Sequence, residues 1–200
     1  NSVKLLVEDF VKEQQISIKN YGKMGEFALK KDSISFIKEV YENHFAGLSE
    51  KELQGEEMFS WETIQENMSS SISSIIVRTV NAGNAQKNLN YDDYDETGLR
   101  IITIGGFSLS RGLTLEGLST SYFYRNSKMY DTLMQMGRWF GYRNHYADLC
   151  QIWMSEESTE WYEHIAEASE ELKREVKKMS NSNRTPEDFG LGVRRDINSL

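Results

Sequence analysis

The feature that most constrains this chain is an apolar run that ends in a cluster of glycine and arginine. The run Leu99–Ile104 has the continuous apolar character of a strand in a parallel sheet covered on both faces. It leads into Gly105, Gly106, Ser110, Arg111 and Gly112. Glycine lets backbone N–H groups approach an anion closely, so this cluster is a candidate phosphate site. A plain turn at the end of a strand is the other interpretation of the same glycines.

A second cluster begins in a segment with a helical pattern, Tyr130–Phe140, and continues just beyond it. The members of this cluster are Gln135, Gly137, Arg138 and Arg143. A glycine inside a helix costs about 1 kcal/mol relative to alanine, which usually has a packing or access reason. The aromatic neighbours of the two arginines would hold the guanidinium groups rigid and aim them at phosphate oxygens. Either arginine alone is equally well a surface residue stacked on an aromatic ring. Two such clusters close together in sequence favour one common anion site.

The charge of the chain limits the kind of partner it can have. A net charge of −8 over 200 residues argues against a dedicated nucleic-acid-binding domain, which is normally basic. The span from Arg111 to Arg143 nevertheless holds five basic residues against two acidic ones, which predicts a confined anion site. No apolar run reaches membrane-spanning length and no signal pattern is present, so we expect a cytoplasmic protein with no membrane partner. The chain begins at Asn1 without Met, and we expect it to be part of a longer protein.

The apolar periodicity predicts a helical N-terminal segment over residues 1–70, as an insertion or appendage to the rest. Its helices are expected at Val3–Lys12, Ser33–Phe45 and Ser60–Met68, with Ser2, Asp32 and Ser60 as caps and a serine-rich joint at 69–74. Residues 72–200 are expected to form an α/β domain with a parallel sheet and a long C-terminal helix. Its strands are predicted at 75–80, 99–104, 118–124 and 148–154, an exposed loop at 86–98, and the long helix from Ser155 to a break at 181–184.

The remaining reactive residue types form no complete catalytic or metal-binding set. Cys150 lies in an apolar run and is expected to be a buried thiol rather than a nucleophile. His44 completes an apolar helix face, His164 lies on an acidic helix where we expect it to be solvated, and His145 is a weak ligand candidate. We therefore predict no metal site in the chain and no hydrolytic triad.

At the two clusters the chain resembles motifs five and six of superfamily-two helicases. The longer string GGFSLSRGLTLEGL…SYFYR…DTLMQMGRWFGYR, followed by TPEDFGLGVR, is more specifically similar to the Z1 (Z-one) domain family over about residues 75–195. Members of that family are bacterial proteins described as endonucleases or as helicase-like components of restriction-modification and phage-defence systems. The resemblance therefore implies a RecA-like helicase C-terminal lobe, the second of two lobes.

The resemblance also implies roles for individual residues. In such motors ATP and Mg²⁺ bind between two lobes, and arginines of the second lobe stabilise charge on the transferred phosphoryl group. By position, Arg138 is the first motif-six arginine and Arg143 the second, the arginine finger, and both would be catalytic. Nucleotide contacts would come from Gln135 and Gly137 and from the motif-five residues Gly105, Gly106, Ser110, Arg111 and Gly112.

The chain departs from the helicase pattern at three points. Arg138 and Arg143 are five residues apart where three is usual, and Gln135 is one residue closer to Gly137 than usual. Thr114 replaces an aspartate that binds ribose in many relatives. The chain also contains no GxxxxGK[ST] motif and no credible Walker B acid, which belong to a first lobe.

The function implied by the resemblance is that of one lobe of an ATP-dependent, DNA-acting hydrolase. Its expected partners are the first lobe of the same protein, DNA, and restriction or defence subunits. We expect the isolated chain to bind no ATP and to be inactive. The alternative is a catalytically inert adaptor that keeps the helicase-like fold and binds a partner protein. DNA cleavage by this domain itself is disfavoured, because no acidic nuclease-type metal cluster is evident.

Overall fold

The computed structural model describes residues 2–48, 58–80, 89, 91–106, 109, 115–124, 133–134, 137 and 146–182. The chain divides into two compact units, one of residues 1–119 and 138–150 and one of residues 120–137 and 151–200. The described part is mixed α/β, mostly helical, with short parallel sheets. The α/β class and the parallel pairing are therefore confirmed, while the predicted domains 1–70 and 72–200 stay a prediction.

The first unit begins with a helical layer that has its own core. It comprises α1 (Ser2–Tyr21), a 3-10 turn (Gly25–Lys30), α2 (Asp32–His44) and α3 (Trp61–Ser73). Ile18, Ala28 and Ile34 are completely buried and pack with Trp61 and Met68. Each helix thus contributes its apolar stripe to one shared core.

The apolar residues of α1 differ in how deeply they are buried. The helix continues to Tyr21, and its buried residues are Val11 and Ile18, whereas Val3, Leu6 and Phe10 are 57%, 71% and 58% exposed. At 100° per residue, these three lie roughly 80–140° around the helix from Val11. The N-terminal apolar residues therefore point away from the core.

The helix boundaries confirm one predicted cap and correct three other expectations. The Thr63 N–H donates to the Ser60 hydroxyl at 3.3 Å, so Ser60 caps α3 as predicted. Asp32 is instead the first residue of α2, after Lys31, and Ser2 lies within α1. The serine-rich joint is instead helical through Ser73, and hydroxyls of its serines donate to carbonyls about one turn earlier in the helix.

Two strands of the first unit pair in parallel. β1 (Ile76–Val80) and β2 (Ile101–Gly105) run in register from Ile76 opposite Ile101 to Val80 opposite Gly105. Both lie within one or two residues of the predicted strands. We expected both faces of this sheet to be buried by other elements. Ile102 of β2 is 37% exposed, so its face of the sheet is not fully buried at this position.

Two amide hydrogen bonds join the helical layer to the start of β1. The Gln15 side-chain amide on α1 donates to the carbonyls of Ile72 and Ile75, at 2.9 and 3.1 Å. An open groove of about 460 Å³ lies beside these contacts, lined by Ile18, Ile72 and Ile102 among others. The helices therefore support β1 directly, while the groove leaves Ile102 on β2 accessible to solvent.

The second unit contains another parallel pair and the longest described helix. β3 (Thr120–Phe123) pairs with β4 (Gln151–Met154), and α4 spans Glu156–Asn181. The Ser158 N–H donates to the Ser155 hydroxyl at 3.2 Å, and Glu156 and Glu157 lie in the first turn, where carboxylates suit the helix dipole. The predicted start and end of this helix are confirmed.

The start of the predicted strand 148–154 is instead a 3-10 turn, Ala147–Leu149, in the first unit.

One further prediction falls on residues outside the described ranges, namely most of the helix Tyr130–Phe140. Among the described helices, none is long and apolar enough to cross a membrane.

Gln65 offers a test of the helical layer. Its buried side-chain amide donates to the carbonyls of Gly22 and Gly25, at 3.0 and 2.9 Å. We expect Gln65→Leu to lower the free energy of unfolding by about 3 kcal/mol, because two carbonyls lose their donor. Urea denaturation measures the change. Glu66→Gln, at an exposed site on the same helix, is the control and should stay within about 0.5 kcal/mol; equal effects of the two would contradict the assignment.

Candidate functional site

The first glycine of the first cluster is required by a close backbone approach. Gly105 is the last residue of β2 and lies opposite Val80. A Cβ atom at Gly105 would lie 2.8 Å from the Val80 carbonyl oxygen and 2.7 Å from Cγ of Leu109. Since Val80 is fixed in the strand pair, the backbone cannot give way easily. The packing of β1 against β2 therefore explains this glycine.

The backbone bends at Gly106, immediately after β2. The Leu109 N–H donates to the Gly106 carbonyl at 3.1 Å, and Gly106 is exposed. The turn lies at the carboxyl end of a parallel pair, which is where ligands bind in open α/β sheets. The other cluster members, Ser110, Arg111 and Gly112, lie outside the described residues. The turn interpretation is thus supported at Gly105, and the anion site stays a prediction.

A tyrosine that sequence reasoning placed in an exposed loop takes part in this region. Tyr91 begins a 3-10 turn, Tyr91–Tyr94, and its hydroxyl accepts a hydrogen bond from the Glu116 N–H at 3.1 Å. Burial raises the pKa of the Tyr91 phenol; the hydrogen bond from Glu116 opposes the rise and the Glu116 carboxylate adds to it. Gly117 follows at φ +66°, a conformation that glycine adopts without strain. Tyr91 thus links the segment between β1 and β2 to the segment that follows the first cluster.

The glycine of the second cluster lies against an aromatic ring. A Cβ atom at Gly137 would lie 3.4 Å from Cε1 and the hydroxyl oxygen of Tyr162, so a methyl group would just touch the ring. The Tyr162 hydroxyl donates to the Leu133 carbonyl at 2.8 Å, and Leu133 is 1% exposed. An alanine side chain at position 137 would thus meet the ring in ordinary van der Waals contact, so this packing does not by itself account for the glycine. Tyr162 of α4 was not singled out in the sequence analysis.

Tyr162 is itself held within the second unit. The Phe123 ring of β3 meets it edge-on at a centroid distance of 6.2 Å, and burial raises the pKa of its phenol. Its only signal in the sequence is a hydroxyl-bearing aromatic in the apolar stripe of a helix. Such a residue usually finds a hydrogen-bond partner when it is buried.

The remaining predicted site residues, Gln135, Arg138 and Arg143, lie outside the described residues, as does His145.

Two residues that were not expected to take part in a site differ in burial from the expectation. Cys150 is half-buried, with its thiol against the carbonyls of Tyr146 and Leu118, and His164 is half-buried with a buried Nε2 rather than solvated. Within the described ranges, no group of three or more His, Cys, Asp or Glu residues could hold a metal ion.

The fold and these contacts define a mixed α/β protein in which a glycine turn follows a parallel strand pair. The family model of the Z1 domain matches residues 1–200, so the chain belongs to the Z1 domain family. The match extends beyond the region of resemblance and includes the N-terminal helices. Searches of curated proteins and of solved structures found no match to the chain.

Gly105→Ala tests the close approach of the two strands. We expect it to lower the free energy of unfolding by about 2 kcal/mol, because the added methyl overlaps a strand carbonyl that cannot move without breaking the register. Gly47→Ala is the matched control, since a Cβ atom there meets nothing within 4 Å and its φ is not positive. Urea denaturation of both variants provides the comparison. A Gly105→Ala protein as stable as the control would show that the register is not tight.

Tyr91 makes the stability sensitive to alkaline pH. Its folded-state pKa is raised, so the folded protein keeps a proton that the unfolded chain releases at about pH 10. The free energy of unfolding therefore falls as the pH rises through that value toward the folded pKa. We expect Tyr91→Phe to lose less stability than the wild type between about pH 9 and 11. Urea unfolding at several pH values measures this, and an identical decline in both proteins would refute it.

Proposed function

We propose that this Z1 domain is the second, RecA-like lobe of an ATP-dependent, DNA-acting enzyme of bacterial restriction-modification or phage defence, of helicase-like or endonuclease type. The observation that carries the proposal is the turn at Gly105 and Gly106. It lies at the carboxyl end of a parallel strand pair, and Ser110-Arg111-Gly112 follows it in sequence. A motor lobe presents motif five at this position, next to the nucleotide and the nucleic-acid backbone.

In this proposal the second cluster supplies the positive charge for phosphoryl transfer. Arg138 and Arg143 stabilise the charge that develops on the phosphoryl oxygens, and Gln135 contacts the nucleotide. Guanidinium groups suit this role because they stay charged and bind two oxygens at once. The local excess of basic residues between Arg111 and Arg143, within an acidic chain, supports an anion-binding role.

The other half of the nucleotide site belongs to a first lobe. The chain has no Walker A motif, so the phosphate-binding loop and the Mg²⁺ ligands must come from elsewhere in the complete protein. DNA is the proposed polymer substrate of the two-lobed enzyme, and restriction or defence subunits are its proposed partners. The 200 residues alone are expected to hydrolyse no ATP.

The adaptor function is the second candidate, and the surface of α1 favours it. Val3, Leu6 and Phe10 form an exposed apolar stripe at spacings of three and four residues on one helix. Such a stripe is typical of a helix that packs against another protein surface. In this alternative the arginines have no catalytic role.

Substitution of the arginines separates the two candidates. In a protein that carries both lobes, we expect Arg138→Ala and Arg143→Ala each to lower DNA-stimulated ATP turnover by roughly 10³-fold, because a trans-acting arginine stabilises the transition state. Phosphate release under saturating ATP and DNA measures the rate. Lys178→Ala, a charge removed from the last turn of α4, is the control and should keep wild-type turnover.

Two results would count against the motor proposal. Wild-type rates in both arginine variants would favour the adaptor. Measurable ATP turnover by the isolated chain would contradict the division of the nucleotide site between two lobes.

A further inference from the structure

Residues 19–31, at the end of α1 and in the 3-10 turn that follows it, form a positively charged surface on an acidic chain. They include four lysines and one acidic residue, Glu26, whereas the whole chain has a net charge of −8. The lysines are all exposed, and they are Lys19, Lys23, Lys30 and Lys31. None of the four forms an ion pair with another described residue. This surface, which we call the basic turn, therefore carries uncompensated positive charge.

The backbone of the basic turn is held in place by the helical layer. Ala28, in its second half, is completely buried, and the side-chain amide of Gln65 donates to two of its carbonyls, at 3.0 and 2.9 Å. The Lys31 ammonium lies 4.3 Å from the ring centroid of Tyr21, so the two ends of the turn meet. A ligand would therefore meet a backbone that is already ordered, which lowers the entropy cost of binding.

An aromatic ring and an ammonium group lie together on the outside of the basic turn. Phe27 is 71% exposed, and the Lys30 ammonium lies 4.9 Å from the centroid of its ring. The face of an aromatic ring attracts cations and also stacks against other flat rings. Most of the Phe27 ring is therefore open to a flat partner that carries negative charge close by.

We propose that the basic turn binds single-stranded DNA, with a base stacked on Phe27 and phosphates against Lys23 and Lys30. Proteins that bind single strands combine aromatic rings, on which bases stack, with basic groups that follow the backbone. A base and its phosphate are joined through one sugar, so a ring and an ammonium group in contact can engage both. The inference rests on the proposed DNA-acting function and adds a contact outside the two glycine–arginine clusters.

The acidic character of the whole chain does not prevent binding at this surface. At physiological ionic strength, exposed charges more than about 8 Å apart are largely screened from one another. A phosphate at the basic turn therefore responds mainly to the lysines beside it.

The exposed apolar side chains favour a single strand over a duplex or a membrane. The bases of a duplex are stacked on one another and offer no free face to Phe27. Binding to a membrane surface uses the continuous apolar face of an amphipathic helix, whereas the basic turn exposes Met24 and Phe27 with Glu26 between them in sequence.

The first test removes the ring. Binding of labelled oligo(dT) of about 16 nucleotides to a protein that carries both lobes is measured by fluorescence anisotropy without ATP. Phe27→Leu changes an exposed site, so folding should be retained. We expect Kd to rise at least about 5-fold, as for loss of one stacked base. Phe36→Leu is the matched control and should keep the wild-type Kd, because Phe36 is 62% exposed but has Asp32 and Glu39 one turn away on α2 instead of lysines.

The second test removes charge, in the double variant Lys23→Gln with Lys30→Gln. A single strand gives a salt slope of about 0.7 for each phosphate contact, so the slope of log Kd against log salt concentration should become shallower by about 1.4. A loss of folded protein would lower the active fraction without this change of slope. Lys177→Gln with Lys178→Gln, at two exposed lysines of α4, is the matched control and should alter neither Kd nor slope.

The outcomes separate this inference from the motor proposal. A wild-type Kd in Phe27→Leu, an equal loss in Phe36→Leu, or an unchanged slope in the lysine variant would overturn the inference. Binding to vesicles that contain phosphatidylserine, lost in the lysine variant while oligo(dT) binding is kept, would overturn it in favour of a membrane surface.

The Arg138→Ala variant completes the comparison. Loss of its ATP turnover, with wild-type oligo(dT) binding in both basic-turn variants, would overturn the inference and leave the motor function standing. Wild-type turnover in Arg138→Ala, with weakened oligo(dT) binding in the basic-turn variants, would support the DNA contact and overturn the motor proposal.

Discussion

The parallel pairing of β1 with β2 is the constraint on which the first unit depends. Parallel strands cannot be closed by a hairpin and need a crossover, so their pairing is held by cover from other elements rather than by the chain that joins them. Here the cover comes from α1, whose Gln15 donates to the Ile72 and Ile75 carbonyls just before β1. The helical layer thereby holds β1 in place. The hydrogen-bond register positions β2 against β1, and the end of β2 then determines where the turn at Gly105 lies.

The glycines of the two clusters have different surroundings. At Gly105 a neighbouring strand carbonyl leaves no room for a Cβ atom, whereas at Gly137 a methyl group would fit against the Tyr162 ring. Strand packing thus accounts for Gly105, in addition to the plain turn that was the other interpretation of the first cluster. Such packing does not compete with an anion-binding role, because a phosphate site needs its backbone held in one geometry. Close packing at a motif glycine is one way to achieve that.

What could be predicted from the sequence was local, and what was missed depends on contacts between distant residues. The Ser60 cap, the start of the long helix after Ser155 and the β-branched strand at 76–80 follow from signals within a few residues, and they were predicted. Which apolar residues of α1 are buried depends on contacts with the shared core that includes Ile34 and Met68, and the periodicity of α1 alone does not specify those contacts. Tyr91 and Tyr162 make hydrogen bonds to backbone groups 25 and 29 residues away in the sequence. The periodicity of apolar residues contains no information about such distant contacts.

The spacing of Arg138 and Arg143 has a geometric consequence for the motor proposal. Residues three apart on a helix lie roughly 60° from one another, whereas residues five apart lie roughly 140° apart. Arg138 and Arg143 could therefore not face one phosphate from a single continuous helix. Gly141 stands between them, and glycine is the residue that most readily ends a helix. A motor function thus requires the chain to change direction near Gly141, whereas an adaptor makes no such demand.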